Sequence, residues 1–169
     1  MICIIKSRAN LVRLFYEMLR ITIQGQTMCG GVRYTIKKET LRVYFPNPQA
    51  QLPILMKDGN ILLLPWGRRK EQEGNLPLGG WARLDSINAG KWEYVQPTPV
   101  KIAVDAFMEK DHNKDSHWFD LEEGQFIQGL VAHYNDEKRI YVVTVEPDPL
   151  TRQIHDRWPR IVGNQTNNY

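Results

Sequence analysis

Three residues of this chain could combine covalent chemistry with proton transfer: Cys29, Glu109 and His155. Cys29 follows Met28 and precedes two glycines, so a chain that begins at Met28 and loses its methionine exposes a cysteine with a free α-amine. The amine and the thiol have ordinary pKa values of about 8 and about 8.5, so both are partly nucleophilic near neutral pH. Such a pair closes a thiazolidine ring on an aldehyde, whereas an internal cysteine has no free nitrogen for this reaction.

Glu109 and His155 supply groups that exchange protons. Glu109 follows an apolar stretch that is typical of a strand, and a carboxyl partly buried at a strand end has a raised pKa and can donate or accept a proton. His155 opens a polar cluster between two apolar residues, where an imidazole could move protons near neutral pH. Each residue alone is equally typical of a surface or capping position, so the argument depends on the three together.

A second polar cluster invites a metal interpretation. His112 and His117 flank Asp111 and Asp115, but their spacing matches no zinc signature. We therefore predict a solvated turn over 111–116 and expect no bound metal. Phosphate-binding glycine loops are absent from the sequence, and we expect no cofactor.

The composition predicts one ordinary globular domain. The chain has 169 residues, of which 42% are hydrophobic and 24% charged. Cys3 and Cys29 imply no disulfide framework, so a reducing compartment is the default. No apolar run approaches the roughly 18 residues of a membrane helix. We expect a cytoplasmic monomer, encoded by a bacterium or a phage, with no membrane partner.

The net positive charge of the chain comes entirely from its first 28 residues. The net charge is +3, and residues 1–28 hold four basic residues and one acidic residue. The remainder is balanced, so any nucleic-acid contact must come from a local patch. We interpret residues 1–27 as a leader: a start assigned too far upstream is preferred over a targeting helix or a removable pro-segment. The domain is expected over 28–163, followed by a disordered tail over 164–169.

Short alternating segments and turn residues predict a β-rich α+β domain with one curved, mostly antiparallel sheet. Asp58-Gly59-Asn60 between two apolar runs predicts a tight hairpin, and a loop is expected over 68–80. Short helices are expected over 82–90 and 150–155. Strands are predicted over 32–36, 41–45, 51–56, 61–64, 100–107, 117–121, 126–134 and 139–145.

Five short motifs, in this order and at this spacing, resemble the SOS response-associated peptidase family, also called abasic-site processing proteins. The most specific is the last, which is similar to the family's Ile-His-Asp-Arg-Met-Pro box. The resemblance covers residues 28 to about 162. The motifs are Met28-Cys29-Gly30, Leu64-Pro65-Trp66-Gly67, Ala82-Arg83-Leu84-Asp85-Ser86-Ile87, Phe107-Met108-Glu109 and Ile154-His155-Asp156-Arg157-Trp158-Pro159.

The resemblance implies a protein of the DNA damage response that binds single-stranded DNA and links itself covalently to abasic sites. Cys29 would be the nucleophile after loss of residues 1–28, Glu109 would assist ring opening of the sugar, and His155 would handle protons at the Schiff-base stage and in reversal. Self-cleaving peptidase and lyase-like activities are implied as well. The DNA-contacting residues would be Arg33, Trp66, Trp81, Arg83, Asn88 and Arg157, with Arg83 on a phosphate and Trp66 stacked on a base.

The chain departs from the family pattern at three positions. Gly31 stands where the family has arginine, which leaves Arg33 as the nearest guanidinium. Trp81 replaces an asparagine that contacts the opened sugar, with Asn88 as a conceivable substitute, and Lys110 replaces a tryptophan. A divergent module that binds single-stranded DNA without covalent chemistry, and a peptidase that acts on a protein, therefore remain as alternatives. Core packing is the alternative role for the tryptophans.

Overall fold

The computed structural model describes residues 30–163, so Cys29, the leader predicted over 1–27 and the tail predicted over 164–169 lie outside the described residues. The β-rich α+β class is confirmed, although the strands form two sheets and not one. The strands are β1 (Gly31–Ile36), β2 (Glu39–Tyr44), β3 (Gln51–Leu55), β4 (Ile61–Pro65), β5 (Trp81–Arg83), β6 (Thr98–Ile102), β7 (Ala106–Lys110), β8 (Ser116–Asp120), β9 (Gln125–Tyr134), β10 (Glu137–Val145), β11 (Trp158–Pro159) and β12 (Ile161–Gly163).

The smaller sheet has four antiparallel strands in the order β2-β1-β7-β8. The larger has eight strands, with the path β11-β10-β9-β6-β3-β4, β12 paired to β9 and β5 parallel to β10. A parallel bridge between Trp66 and Ile140 joins the end of β4 to β10, and the Gly67 amide donates to the Ile140 carbonyl over 2.8 Å. The larger sheet thereby folds back on itself.

The main core lies between the two sheets. Because side chains alternate along a strand, one face of the smaller sheet contributes Val32, Tyr34 and Phe107, and β9 and β10 contribute Ile127 and Val142 opposite them. Burial of each such side chain stabilises the fold by about 1.5–3 kcal/mol. Other residues of β10 enter a second cluster on the opposite face of the larger sheet, so this strand is buried on both sides.

Three predicted elements differ from the structure. The strand predicted over 100–107 is two strands, because the chain leaves the larger sheet after β6 and enters the smaller one at β7. Backbone bonds from Ala103 to Pro53 and from Asp105 to Arg33 fix this crossover. The helix predicted over 82–90 is β5 followed by helix α1 (Leu84–Asn88), since pairing with β10 claims its first residues. The helix predicted over 150–155 is a 3₁₀ turn (Thr151–Gln153), capped by Asp148.

The predicted hairpin and loop are confirmed. Asp58 accepts hydrogen bonds from Asn60 at the tip of the β3–β4 hairpin. The loop between β4 and β5 is fixed by paired backbone bonds between Arg68 and Gly79, and by the buried Arg69 guanidinium, which lies over the Phe45 ring at 4.1 Å. Within residues 30–163, no helix is long and apolar enough to cross a membrane.

Replacement of Gly67 by alanine is expected to destabilise the fold by about 3 kcal/mol or more. Gly67 has a φ of +54°, and an added Cβ would overlap the Gly79 carbonyl, so strain and a backbone clash add up. Gly59 is the matched control, since its φ is +83° but nothing lies within 4 Å of an added Cβ. Gly59→Ala should cost only about 1 kcal/mol. Urea unfolding of both variants measures the difference, and equal losses would contradict the close packing at Gly67.

Candidate active site between the two sheets

A narrow cavity lies where the smaller sheet packs against the larger one. Its volume is about 10 Å³, close to the minimum that holds one water molecule. The smaller sheet and the residue before it contribute one wall, and β5, β10, β11 and the end of β4 contribute the other. The lining residues used below are Gly30, Trp66, Trp81, Glu109, Val142 and Pro159.

Glu109 provides the ionisable group of this cavity. In β7 it occupies the same face as Phe107, so its side chain points into the space between the sheets, where only 2% of the residue is exposed. No hydrogen bond or ion pair reaches its carboxyl from residues 30–163. Burial raises the pKa of Glu109 to about 8. At neutral pH this side chain is mainly a neutral carboxylic acid that can donate a proton.

The strand register places the start of β1 beside Glu109. Gly31 pairs with Met108 and Val32 with Phe107, so the same antiparallel register puts Gly30 opposite Glu109. A Cβ on Gly30 would lie 3.0 Å from Cζ2 of Trp81, so a side chain at this position would require a small shift of the Trp81 ring. Gly30 is bonded to Cys29, the predicted nucleophile.

The two cavity tryptophans differ in exposure. Trp66 is 1% exposed and its indole N–H donates to the Gly80 carbonyl over 2.9 Å, so this conformation leaves neither ring face open for the predicted stacking on a base. Trp81 is only partly buried. Its ring meets Phe45 and Trp66 edge-on, with centroids 4.7 and 5.6 Å away. Trp81 therefore fills the cavity mouth next to Gly30.

The end of β10 gathers a second group of predicted site residues. Arg83 pairs with Thr144 in register, and Trp158 pairs with Val145. Arg83 forms a two-pronged ion pair with Asp85. Burial, and then the charge of Arg83, lowers the pKa of Arg157, which places the two guanidinium groups within electrostatic reach of each other. Within residues 30–163 the Arg157 guanidinium makes no hydrogen bond, whereas Arg83 would have to share its guanidinium between Asp85 and a phosphate oxygen.

His155 is oriented by the backbone of its own segment. Its Nδ1 lies 3.1 Å from the Arg157 amide nitrogen and 3.2 Å from the Arg157 carbonyl oxygen, so the segment engages this nitrogen and leaves Nε2 for other partners. Trp158 anchors this segment to the smaller sheet: its ring centroid lies 5.1 Å from that of Phe107 and 4.8 Å from that of Phe119. Within residues 30–163, no hydrogen bond joins His155 to Glu109.

The cavity and the arginine group adjoin each other through two short segments. Trp81 and Arg83 lie two residues apart in β5, and Arg157 and Pro159 lie two residues apart around β11, a spacing of about 7 Å along a strand. This spacing would allow one nucleotide to place its sugar at the cavity and its phosphate at the arginines.

Two predicted DNA contacts lie elsewhere. Arg33 projects from the opposite face of the smaller sheet, where it forms an ion pair with Asp120 at 2.5 Å. Asn88 is exposed at the end of α1 and does not line the cavity, so it cannot replace the family's asparagine in this conformation. The sequence alone did not show on which face of β1 the Arg33 side chain lies, because pairing of β1 with β7 sets that face.

The predicted turn at 111–116 is confirmed and is held by hydrogen bonds among its own residues and His117. Asp111 accepts backbone bonds from Asn113 and Asp115, and its Oδ2 lies 2.9 Å from Nε2 of His117. The hydrogen bond from His117 is the main cause that lowers the pKa of Asp111. In the described part of the chain, no group of histidines and carboxylates has the arrangement of a metal site.

Sequence reasoning missed one buried polar group near the site. The Thr144 hydroxyl is buried and has no hydrogen-bond partner among residues 30–163. Thr144 lies on the same face of β10 as Val142, which lines the cavity. The signal was a single threonine inside the apolar run Tyr141–Val145, where an unpaired hydroxyl costs about 1–3 kcal/mol.

Comparison of the chain with protein-family models, with curated proteins and with the solved structures gave no match.

Replacement of Glu109 by glutamine should remove a pH dependence of stability. Between pH 4.5 and 8 the native protein keeps a proton that the unfolded chain releases, so stability falls as the pH rises through this window. The loss is up to about 5 kcal/mol. Glu109→Gln should be as stable as the unmodified protein at pH 4.5 and more stable at pH 8.5. Glu71→Gln, which changes an exposed carboxylate, should keep the original slope in urea unfolding across pH; an unchanged slope in Glu109→Gln would contradict the buried acid.

Proposed function

We propose that this protein binds single-stranded DNA and attaches covalently to abasic sites in the DNA damage response, as the SOS response-associated peptidase family that its motifs resemble does. The observation that supports this most directly is a buried, neutral carboxylic acid opposite Gly30. Cys29, the candidate nucleophile, precedes Gly30 in the chain, and Gly30 is the residue opposite this acid, whose pKa is about 8.

The proposed reaction begins with the abasic sugar, which interconverts between a closed ring and an open aldehyde. Glu109 donates its proton to the ring oxygen while the C1 hydroxyl loses one, which opens the ring. The α-amine of Cys29 then adds to C1, and loss of one water gives a Schiff base. The Cys29 thiolate adds to the same carbon and the nitrogen takes up a proton, which closes the thiazolidine. The balance is protein plus DNA minus one water.

The residues at the end of β10 would hold the DNA for this reaction. Arg83 and Arg157 would bind phosphate oxygens, where the guanidinium fork suits the geometry. His155 would transfer protons at the Schiff-base stage and in reversal of the link through Nε2, since Nδ1 is engaged by the Arg157 amide.

The reaction needs a free amine on Cys29, so removal of residues 1–28 is part of the proposal. Self-cleavage by a peptidase activity would meet this requirement, and so would translation from Met28 followed by loss of that methionine. The intact mass of the natively expressed protein distinguishes these routes when it is compared with that of Glu109→Gln, because only self-cleavage should be blocked by the substitution.

The size of the cavity favours a second candidate function. A volume of about 10 Å³ admits one water and no sugar, because the Trp81 ring fills the mouth. The alternative is a module that binds single-stranded DNA through Arg83 and Arg157 without covalent chemistry. Under the first proposal Trp81 must swing outwards, or the sugar must react at the mouth of the cavity.

Protein that begins at Cys29 is expected to form a heat-stable adduct with single-stranded DNA carrying one abasic site. Denaturing gels and intact mass should show protein plus DNA minus one water. Glu109→Gln should slow the reaction by about 10²–10⁴-fold because a positioned proton donor is lost. Undamaged DNA and protein that retains residues 1–28 are the negative controls. An adduct that persists in Cys29→Ala would overturn the proposed chemistry.

Trp81→Asn should accelerate adduct formation by about tenfold or more, equivalent to about 1.4 kcal/mol of barrier, because it opens the cavity and provides a hydrogen-bonding side chain. Trp81→Phe keeps an aromatic ring in the mouth and should react at the original rate. Single-turnover gels measure both. Failure of all three proteins to react, with undiminished binding of undamaged DNA, would select the non-covalent module.

A further inference from the structure

The outer face of the smaller sheet carries an unexplained group of side chains. Because side chains alternate along each strand, those that point away from the core lie side by side across all four strands. We call this surface the aromatic–basic face and define it by Arg33, Arg42, Tyr44, Lys110 and Trp118. It lies on the side of the sheet opposite Glu109 and the cavity.

The two aromatic rings of this face are adjacent and accessible. Tyr44 is 42% exposed, and its ring meets the half-buried Trp118 edge-on, with centroids 6.2 Å apart and planes at 77°. Tyr44, Gly31, Met108 and Trp118 form one cross-strand row, in which the two rings pack beside the buried Met108 and leave their outer surfaces open to solvent. Rings in this setting are suited to stack with unpaired bases, and each stacked base typically contributes tenfold or more in affinity.

The charge of the face is positive although the domain is balanced. Arg33, Arg42 and Lys110 share the face with the carboxylates of Asp120, which pairs with Arg33, and Asp105, which accepts a hydrogen bond from Thr35. Residues 30–163 as a whole contain 18 basic and 18 acidic residues, so the excess here is local. Positive charge interleaved with aromatic rings is the pattern that binds single-stranded nucleic acid.

Arg42 is placed to change partners when a ligand arrives. Its guanidinium carbon lies 5.4 Å from the centroid of the Trp118 ring, and Arg42 makes no ion pair within residues 30–163. An incoming base can take the place of the guanidinium on the ring, and the exposed Arg42 side chain is then available to a phosphate. Binding would break the cation–π contact between Arg42 and Trp118. That loss is small compared with the gain from a stacked base and a phosphate contact.

The face adjoins the start of β1. A Cβ on Gly31 would lie 2.9 Å from the Tyr44 ring, so Tyr44 lies directly over this residue. Gly31 follows Gly30, which is opposite Glu109 on the other side of the sheet. A single strand of nucleic acid bound to the aromatic–basic face would therefore pass the edge of the candidate active site.

We propose that single-stranded nucleic acid lies across the aromatic–basic face, with bases on Tyr44 and Trp118 and phosphates on Arg42, Arg33 and Lys110. The choice of DNA over RNA rests on the function proposed above, whereas the stacking and charge arguments hold for both. The face thus extends the DNA-binding surface beyond Arg83 and Arg157 to nucleotides flanking the lesion.

The test measures binding of undamaged, fluorescein-labelled oligonucleotides of 15 nucleotides, dT and U, to the full chain by anisotropy at several salt concentrations. Tyr44→Ala and Trp118→Ala should each weaken binding about tenfold, and Tyr44→Phe should retain it. Arg42→Ala should weaken binding and reduce the salt slope by about 0.7. Tyr94→Ala and Lys57→Ala, which change exposed residues outside the face, should bind normally. Circular dichroism of each variant reports whether it is folded.

The outcomes separate this inference from the proposed function because no abasic site is present. Selective loss in the face variants supports the inference, and preference for dT or U identifies the nucleic acid. Undiminished binding by folded Tyr44→Ala, Trp118→Ala and Arg42→Ala overturns it, even if Cys29 forms its adduct. Absence of binding to both oligonucleotides, or capture of an acidic polyglutamate peptide in their place, also overturns it. If Tyr44→Ala or Trp118→Ala is unfolded, Arg42→Ala decides by its affinity and salt slope.

Discussion

The packing of the four-stranded sheet against the eight-stranded sheet is the constraint on which the rest of the structure depends. It places one face of β7 against apolar side chains of β9 and β10, and Glu109 occupies a position on that face that an apolar residue would otherwise fill. Removal of the carboxyl from water is the cause of its raised pKa. The same packing brings Trp158 onto Phe107 and so attaches the His155 segment to the strand that carries Glu109.

The smaller sheet consequently presents two chemically different surfaces. Its inner face buries apolar side chains together with the acid Glu109, and its outer face carries accessible aromatic rings and cationic side chains. Only one backbone separates them, so a ligand on the outer face and a reacting group at the inner one can belong to the same polymer. A thin sheet suits such an arrangement better than a helix pair, because adjacent residues of one strand serve opposite sides.

Much of this organisation followed from the sequence. Alternating residues predicted most strands, and the turn residues Asp58-Gly59-Asn60 predicted a hairpin that is confirmed. A glutamate that follows an apolar stretch pointed to Glu109 as a buried acid. The strand predicted over 100–107 concealed a crossover, because periodicity is similar on both sides of it and only long-range hydrogen bonds show that the chain changes sheets.

Other features depended on tertiary contacts that no local pattern encodes. The sequence predicts that Trp66 stacks on a base, but its N–H donates to the Gly80 carbonyl and the core encloses its ring. The family resemblance predicts both Arg33 and Arg83 as DNA contacts, but the smaller sheet separates the face that carries Arg33 from the cavity. Tyr44, Arg42 and Trp118 come together only through pairing of β2 with β1, β1 with β7 and β7 with β8.

The crossover at residues 103–105 has a consequence for how the chain can change length during evolution. One residue inserted between β6 and β7 would move β7 by one step, turning Lys110 towards the core and Glu109 towards solvent. The acid, the aromatic support of the His155 segment and the charge of the outer face would be lost in a single event. An insertion of the same size at the tip of the β3–β4 hairpin alters none of them. Tolerance to insertion and deletion should therefore be very uneven along this chain, and lowest at a short connection that carries no chemistry itself.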